Sequence, residues 1–210
     1  LEPDYGTTLT ILGIFFIQIV FSDIKLRYPA FLLSISIFPL YLFATASDYR
    51  RERIETFLTG KCQDGVDLLG DCFQLNQSWI AISSGGLTGL GPGTSRARWG
   101  MLPNAYTDFI VSITGEEYGF IGILVLTIIF LILIVSFYGM ALTTNDNFKK
   151  LLLAGIATWV GIQTILNLGG AVGLLPITGI VLPFISYGGT AMVSIFIGLS
   201  LAHNENLDNE

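Results

Sequence analysis

Residues 118–142 read YGFIGILVLTIIFLILIVSFYGMAL and hold no charged side chain. A bilayer core about 30 Å thick is crossed by roughly 20 apolar residues in a helix, so this stretch predicts a membrane span. Working outward, further apolar runs at 8–21, 29–46, 151–168 and 177–202 complete five candidate spans. The composition agrees: of 210 residues, 52% are hydrophobic and 12% charged, and the mean hydropathy is +0.68. A soluble domain carries about 25% charged residues. The predicted fold class is an all-α polytopic membrane protein with about five transmembrane helices and a large extracytoplasmic loop.

The apolar runs are interrupted in two informative places. Gly115-Glu116-Glu117 predicts a break between a short lead-in helix at 106–114 and the span that follows. Pro183-Phe184-Ile185-Ser186-Tyr187-Gly188-Gly189 interrupts the last span. Such breaks are tolerated in membranes where neighbouring groups satisfy the freed backbone. The predicted order is then two spans in 1–47, the large loop in 48–105, the lead-in helix and three spans in 106–202, and a tail at 203–210. Lys25 and Arg27 flank one connection and Lys149 and Lys150 another. Placing both inside obeys the positive-inside bias, puts the large loop outside and leaves the C-terminus cytoplasmic. The loop carries basic residues of its own, but it is near the ~60-residue length at which the bias loses force. No basic tract suggests a nucleic-acid partner, and the net charge of −6 is confined to loops. The chain begins at Leu1 in a polar-to-apolar transition, and a further N-terminal part is expected upstream.

Asp108 is the first candidate for chemistry. It stands at the edge of an apolar stretch, where a carboxylate is costly and is a functional candidate by default. The competing reading is a helix cap favoured by the helix dipole, a job Thr107 could also do. Upstream, Gly89-Leu90-Gly91-Pro92-Gly93-Thr94-Ser95-Arg96-Ala97-Arg98 joins close backbone approach to guanidinium groups. Glycines let amide groups approach an anion, and arginines grip phosphate bidentately. The alternative is a solvated loop. It is no P-loop, because the closing Lys-Ser/Thr is absent. Ser186 and Tyr187 are candidate substrate contacts, while Gly188 and Gly189 read as structural. Gln163 and Asn167 share a face of the fourth span, where buried amides hydrogen-bond between helices. Cys62 and Cys72 both lie in the outer loop, and two readings stay open for them: a disulfide, or two free thiols.

Taken together, these pieces resemble the SEDS family (shape, elongation, division and sporulation) of membrane peptidoglycan polymerases. Glu2-Pro3-Asp4-Tyr5-Gly6-Thr7 resembles the family's E-P-D-x-G-T. Tyr49-Arg50 with Arg53 and Phe57 resembles Y-R-x-x-R-x-x-x-F. Gly89 to Arg96 resembles G-x-G-x-G-x-S-R. Leu102 to Phe109 resembles L-P-E-A-H-T-D-F and is followed by Gly115-Glu116-Glu117-Tyr118-Gly119. Gly173-Leu174-Leu175-Pro176 and Leu182 to Gly189 complete the set. The likeness covers nearly the whole chain and leans to the division type. Two residues depart from it: Asn104 stands where the family usually has glutamate, and Tyr106 where it usually has histidine.

The resemblance implies the second half of a ten-span bundle in the bacterial cytoplasmic membrane. It implies polymerisation of lipid II into glycan, with undecaprenyl pyrophosphate-linked glycan and a cognate class B penicillin-binding protein as partners. Asp108 would be the general base or the ligand of a divalent cation (Mg or Mn). Arg50, Arg53, Arg96 and Arg98 would stabilise the pyrophosphate, and Ser186 and Tyr187 would contact substrate. Two other functions are compatible with the same residues: a flippase for the lipid-linked precursor, and a non-catalytic scaffold of the division machinery.

Overall fold

The structure is a computed structural model that describes residues 5–22, 24–25, 27–32, 34–36, 55–62 and 72–203. The main elements among these residues are all helical: α1 (Tyr5–Phe21), α2 (Phe73–Gly85), a 3-10 turn (Ala97–Trp99), α3 (Ile110–Thr143), α4 (Asn147–Val172) and α5 (Gly189–His203). Residues 27–32 and 34–36 are also helical and overlap the start of the predicted second span at 29–46. The rest of that span lies outside the described residues, as do Arg50 and Arg53.

α4 is the centre, and α1, α2, α3 and α5 all pack on it. Small residues make this possible. Ala154, Gly155, Ala157, Gly161, Gly169 and Gly170 are buried along α4, and such residues let backbones approach closely. On α1, a Cβ at Gly13 would collide with Ile162. Half of the most apolar window of α4 is buried, against 6% of that of α3, so α3 is peripheral. Its Leu124, Val125, Ile128, Ile132 and Val135 are exposed, forming a surface that hydrocarbon accepts and water penalises. α3 and α4 are long and apolar enough to cross a membrane, while α1 and α5 are apolar but shorter.

The ends of α4 are set by local chemistry. The Asp146 carboxylate accepts from the Phe148 amide at 2.9 Å, a standard N-cap. At the other end Gly173 takes φ +79, and the Leu174 amide donates to the Gly169 carbonyl at 2.8 Å. α2 is tied to both α3 and α4 by one buried hydroxyl. Ser78 Oγ lies 2.6 Å from the Ala171 carbonyl and 2.6 Å from Ser112 Oγ. A hydroxyl has one proton, so Ser78 donates to Ala171 and receives from Ser112.

Two expectations about helix limits are corrected. The expected lead-in helix at 106–114 does not form as such: residues 101–108 are turns, and α3 starts at Ile110. The cause is Asn104, which adopts φ +55, a region open to asparagine but to few other side chains. Its carbonyl receives the amides of Thr107 at 3.2 Å and Asp108 at 3.0 Å, closing a tight turn. The break expected at Gly115–Glu117 falls instead at Gly119, with φ +68 and ψ −165. The second correction concerns the last span. Residues 176–188 are extended or turned, and α5 begins only at Gly189. Pro176 and Pro183 lack amide donors, and Phe184 takes φ +64.

Cys62 and Cys72 are bonded, with Cα atoms 5.3 Å apart. Closing a loop of sequence separation 10 stabilises by about 2–3 kcal/mol through chain entropy. We therefore expect the double variant Cys62→Ser/Cys72→Ser to unfold at lower temperature than wild type without reductant. The two should coincide when reductant is present, as thermal unfolding in detergent would show.

Candidate functional site

The turn that carries Asp108 is held by its own main chain. Three consecutive carbonyls each receive a different donor. The Tyr187 amide donates to Tyr106 at 2.9 Å, Ser186 Oγ donates to Thr107 at 2.6 Å, and Asn167 Nδ2 donates to Asp108 at 3.0 Å. The same Asn167 nitrogen donates to the Ile180 carbonyl at 2.7 Å. The interrupted segment before α5 and the end of α4 thus grip residues 106–108 from one side. Asp108 itself is half-buried and lines a small crevice with Phe109, Leu166, Asn167 and residues 177–180.

Ser186 is placed differently from the expectation of a substrate contact. It is 5% exposed, and its hydroxyl also accepts from the Leu182 amide at 2.8 Å. Its one proton and a lone pair are spent on the protein, so it acts on the position of Asp108. Tyr187 is 81% exposed and remains open to a ligand.

The glycine- and arginine-rich loop reaches the site through α3. At Gly119 the helix gives up the two bonds it would make from Phe120 and Ile121 to the preceding turn. Those amides donate instead to Gly86 at 2.9 Å and Leu87 at 3.1 Å. The freed carbonyls of Glu116 and Glu117 receive Leu90 and Gly91, each at 3.0 Å. Two helical bonds are replaced by four to the loop. The approach is close enough that a Cβ on Gly85 would strike the Gly115 carbonyl, and one on Gly89 the Glu117 carbonyl.

A second fastening uses a side chain. Glu116 is 2% exposed, and its Oε2 accepts from Ser95 Oγ at 2.6 Å and from the Ala97 amide at 3.1 Å. This is the use of the two features that the sequence left open, the serine before Arg96 and the first glutamate of Gly115-Glu116-Glu117. Glu116→Ala strands two buried donors at about 1–3 kcal/mol each. We expect it to lower the thermal midpoint and expose the 89–98 loop to protease, while Glu116→Gln, which keeps an acceptor oxygen, loses much less.

The fastened loop places Arg98 beside the Asp108 turn. Arg98 Nε donates to the Tyr106 hydroxyl at 3.3 Å, and its guanidinium carbon lies 5.9 Å from the Tyr106 and Trp99 ring centres. The Tyr106 hydroxyl, and Glu117 more distantly, raise the Arg98 pKa above its ordinary value, so the exposed guanidinium stays charged. Tyr106, one of the two departures from the family pattern, therefore serves as a rest for an arginine. Arg96 is exposed at the start of the 3-10 turn. Among the described residues no three His, Cys, Asp or Glu side chains group into a metal site.

The fold and site define a helical membrane protein that presents one carboxylate, one anchored arginine and an exposed tyrosine around a rigid turn. The sequence pattern of the FtsW/RodA/SpoVE cell cycle proteins matches residues 1–208, and the chain belongs to that family. It is 36% identical over 203 residues to a probable peptidoglycan glycosyltransferase FtsW of Geobacter metallireducens, covering 97% of this chain and 53% of that protein. It is 34% identical to stage V sporulation protein E of Bacillus subtilis over 203 residues, 97% of this chain and 54% of that one. Among solved structures, a chain of a peptidoglycan synthase complex superposes with a TM-score of 0.70 at 27% identity, over 96% of this chain and 55% of that one. The Thermus thermophilus rod shape determining protein RodA shares the fold, with a TM-score of 0.58 at 24% identity over 96% and 49% of the two chains. The chain spans about half the length of the curated relatives it matches.

Proposed function

We propose that the full-length protein polymerises lipid II on the outer face of the bacterial cytoplasmic membrane, with Asp108 as general base. The observation that carries this reading is the main-chain mounting of a half-buried carboxylate at the start of an apolar helix. In the reaction the 4-hydroxyl of a GlcNAc attacks the anomeric carbon of a MurNAc that bears undecaprenyl pyrophosphate. The new glycosidic C–O bond forms as the bond from the anomeric carbon to the phosphate oxygen breaks. Asp108 takes the hydroxyl proton, and the pyrophosphate leaves with the bonding electrons. A base must stand within hydrogen-bond reach of that proton, which suits a turn at the membrane edge, where the sugars of a lipid-linked substrate lie.

Arg98 and Arg96, with Arg50 and Arg53, supply charge-assisted hydrogen bonds to the departing pyrophosphate. Tyr187 lies against the sugars. A divalent cation would suit the same place: Mg²⁺ is commonly held by one or two carboxylates together with substrate phosphates and water. Asp108 would be its protein ligand, and the cation would neutralise leaving-group charge. The topology that fits has residues 48–105 outside and 203–210 in the cytoplasm. A class B penicillin-binding protein is the expected partner, since the matched complex is a peptidoglycan synthase.

The test is glycan synthesis from lipid II by the purified full-length protein with its cognate penicillin-binding protein, comparing wild type with Asp108→Asn. Equal polymer from both ends the reading. Translocation of lipid II without polymer by wild type replaces it with a flippase, and neither activity leaves a scaffold.

A further inference from the structure

Asn167 is 3% exposed, in the last turns of α4. A side-chain amide nitrogen carries two protons, and both are used here, toward the carbonyls of Asp108 and Ile180. Two carbonyl partners also fix which end of the amide is nitrogen. The remaining oxygen, Oδ1, is sealed from solvent and has no hydrogen-bond partner among the described residues. An interior site that tolerates an unpaired acceptor is not optimised for stability. The residue is better understood through what its nitrogen holds. The nitrogen joins the main chain of the carboxylate-bearing turn to that of the 177–180 segment, and both line one crevice. On the far wall Gly179 has φ +72, and a Cβ there would lie 3.8 Å from Asp108 Oδ2. The carboxylate is thus seated against the segment that Asn167 draws up to it.

We propose that Asn167 is the positioning residue of Asp108: its amide clamps residue 108 to residue 180 and so sets where the carboxylate meets its substrate. This inference rests on the reading of Asp108 as the base. Tyr187 and Ser186 hold the two preceding carbonyls, and Asn167 holds the carbonyl of the aspartate itself. Removing it frees the peptide that follows the aspartate, one of the two that flank its Cα. A reacting group displaced by about 1 Å costs roughly a hundredfold in rate, and such a loss falls on the chemical step.

The experiment uses the full-length protein with its partner and lipid II, and compares wild type, Asn167→Leu, Asn167→Asp and Asp108→Asn. Asn167→Leu keeps the branched shape and removes the unpaired oxygen, but it is bulkier and leaves the Asp108 and Ile180 carbonyls without their donor, so its rate is read per amount of folded protein. We expect its kcat per folded molecule to fall about ten- to hundredfold, with KM within about twofold, alongside a lowered thermal midpoint from the two stranded carbonyls. Asn167→Asp places carboxylate oxygens against two carbonyls when ionised and can donate one bond when protonated. Its rate relative to wild type should therefore climb as pH falls. Asn167→Leu with wild-type kcat, a loss that vanishes once activity is divided by the amount of folded protein, or a pH-independent ratio for Asn167→Asp would each overturn the clamp. Full activity in Asp108→Asn removes the parent reading and the clamp together. An inactive Asp108→Asn beside a fully active Asn167→Leu removes the clamp alone.

Discussion

Asp108→Asn in the full-length protein is expected to reduce glycan synthesis by about two to four orders of magnitude, the usual contribution of a positioned general base. Its thermal midpoint should stay near that of wild type. The two outcomes separate because the fastenings of the turn among the described residues run through its main chain. Asn104 receives the residue 108 amide, Asn167 holds the residue 108 carbonyl, and Ser186 and Tyr187 hold the two carbonyls before it. An amide of nearly the same shape disturbs none of them. Asp108→Glu keeps the charge but extends the side chain by one methylene, and a misplacement of that size costs roughly a hundredfold. Rates from lipid II and melting curves in detergent decide both. A fall in melting temperature that tracks the loss of rate would mean that the carboxylate is structural.

Gly89→Ala is expected to prevent accumulation of folded protein. Gly89 sits at φ +82, and its Cβ would meet the Glu117 carbonyl, its carbon and the Tyr118 amide. The left-handed conformation alone costs an alanine about 1–2 kcal/mol. The collision is with backbone, so it is relieved only by lifting the loop away from α3. That exchanges the four bonds from Leu90, Gly91, Phe120 and Ile121 for the two that a straight α3 recovers, a net loss of two at about 1 kcal/mol each. The sum, on the order of 3 to 4 kcal/mol, is a large share of the stability of many domains. Gly93→Ala is the matched control. Its φ is +78, but nothing stands within 4 Å, so only the conformational cost applies. Size-exclusion profiles of tagged protein in detergent should show a monodisperse peak for Gly93→Ala and none for Gly89→Ala. Equal peaks would refute the steric argument.

What the sequence revealed here was carried by side chains with a pattern. The uncharged 118–142 stretch announced a membrane helix because apolarity over that length has few other uses. Asp108 stood out because a charge there is expensive, and Asn167 because an amide in an apolar helix needs a partner. What stayed hidden was carried by main chain. The exchange between 86–91 and 116–121 is made of amides and carbonyls that every residue possesses, and only Gly85, Gly89 and Gly119 hinted at it. The start of α3 was misjudged because the asparagine at 104 read as a lost acid, whereas its backbone conformation is what shapes the turn. Ser186 reads as a substrate contact because a broken membrane helix suggests a cavity. The break instead folds back, and the hydroxyl is enclosed. The cysteine pairing could be posed from spacing but decided only by geometry.

The displaced bonds at Gly119 bear on how the chain is made. A helix in hydrocarbon must satisfy every amide within itself, because no water is available to do so. While α3 is alone in the bilayer, Phe120 and Ile121 have only their own preceding turn as partner, and the straight helix is the better state. The kink becomes favourable once the 86–91 loop is at hand to receive those amides and fill the freed carbonyls. The bend is therefore acquired during assembly rather than insertion. The same event fastens the arginine-bearing loop to α3.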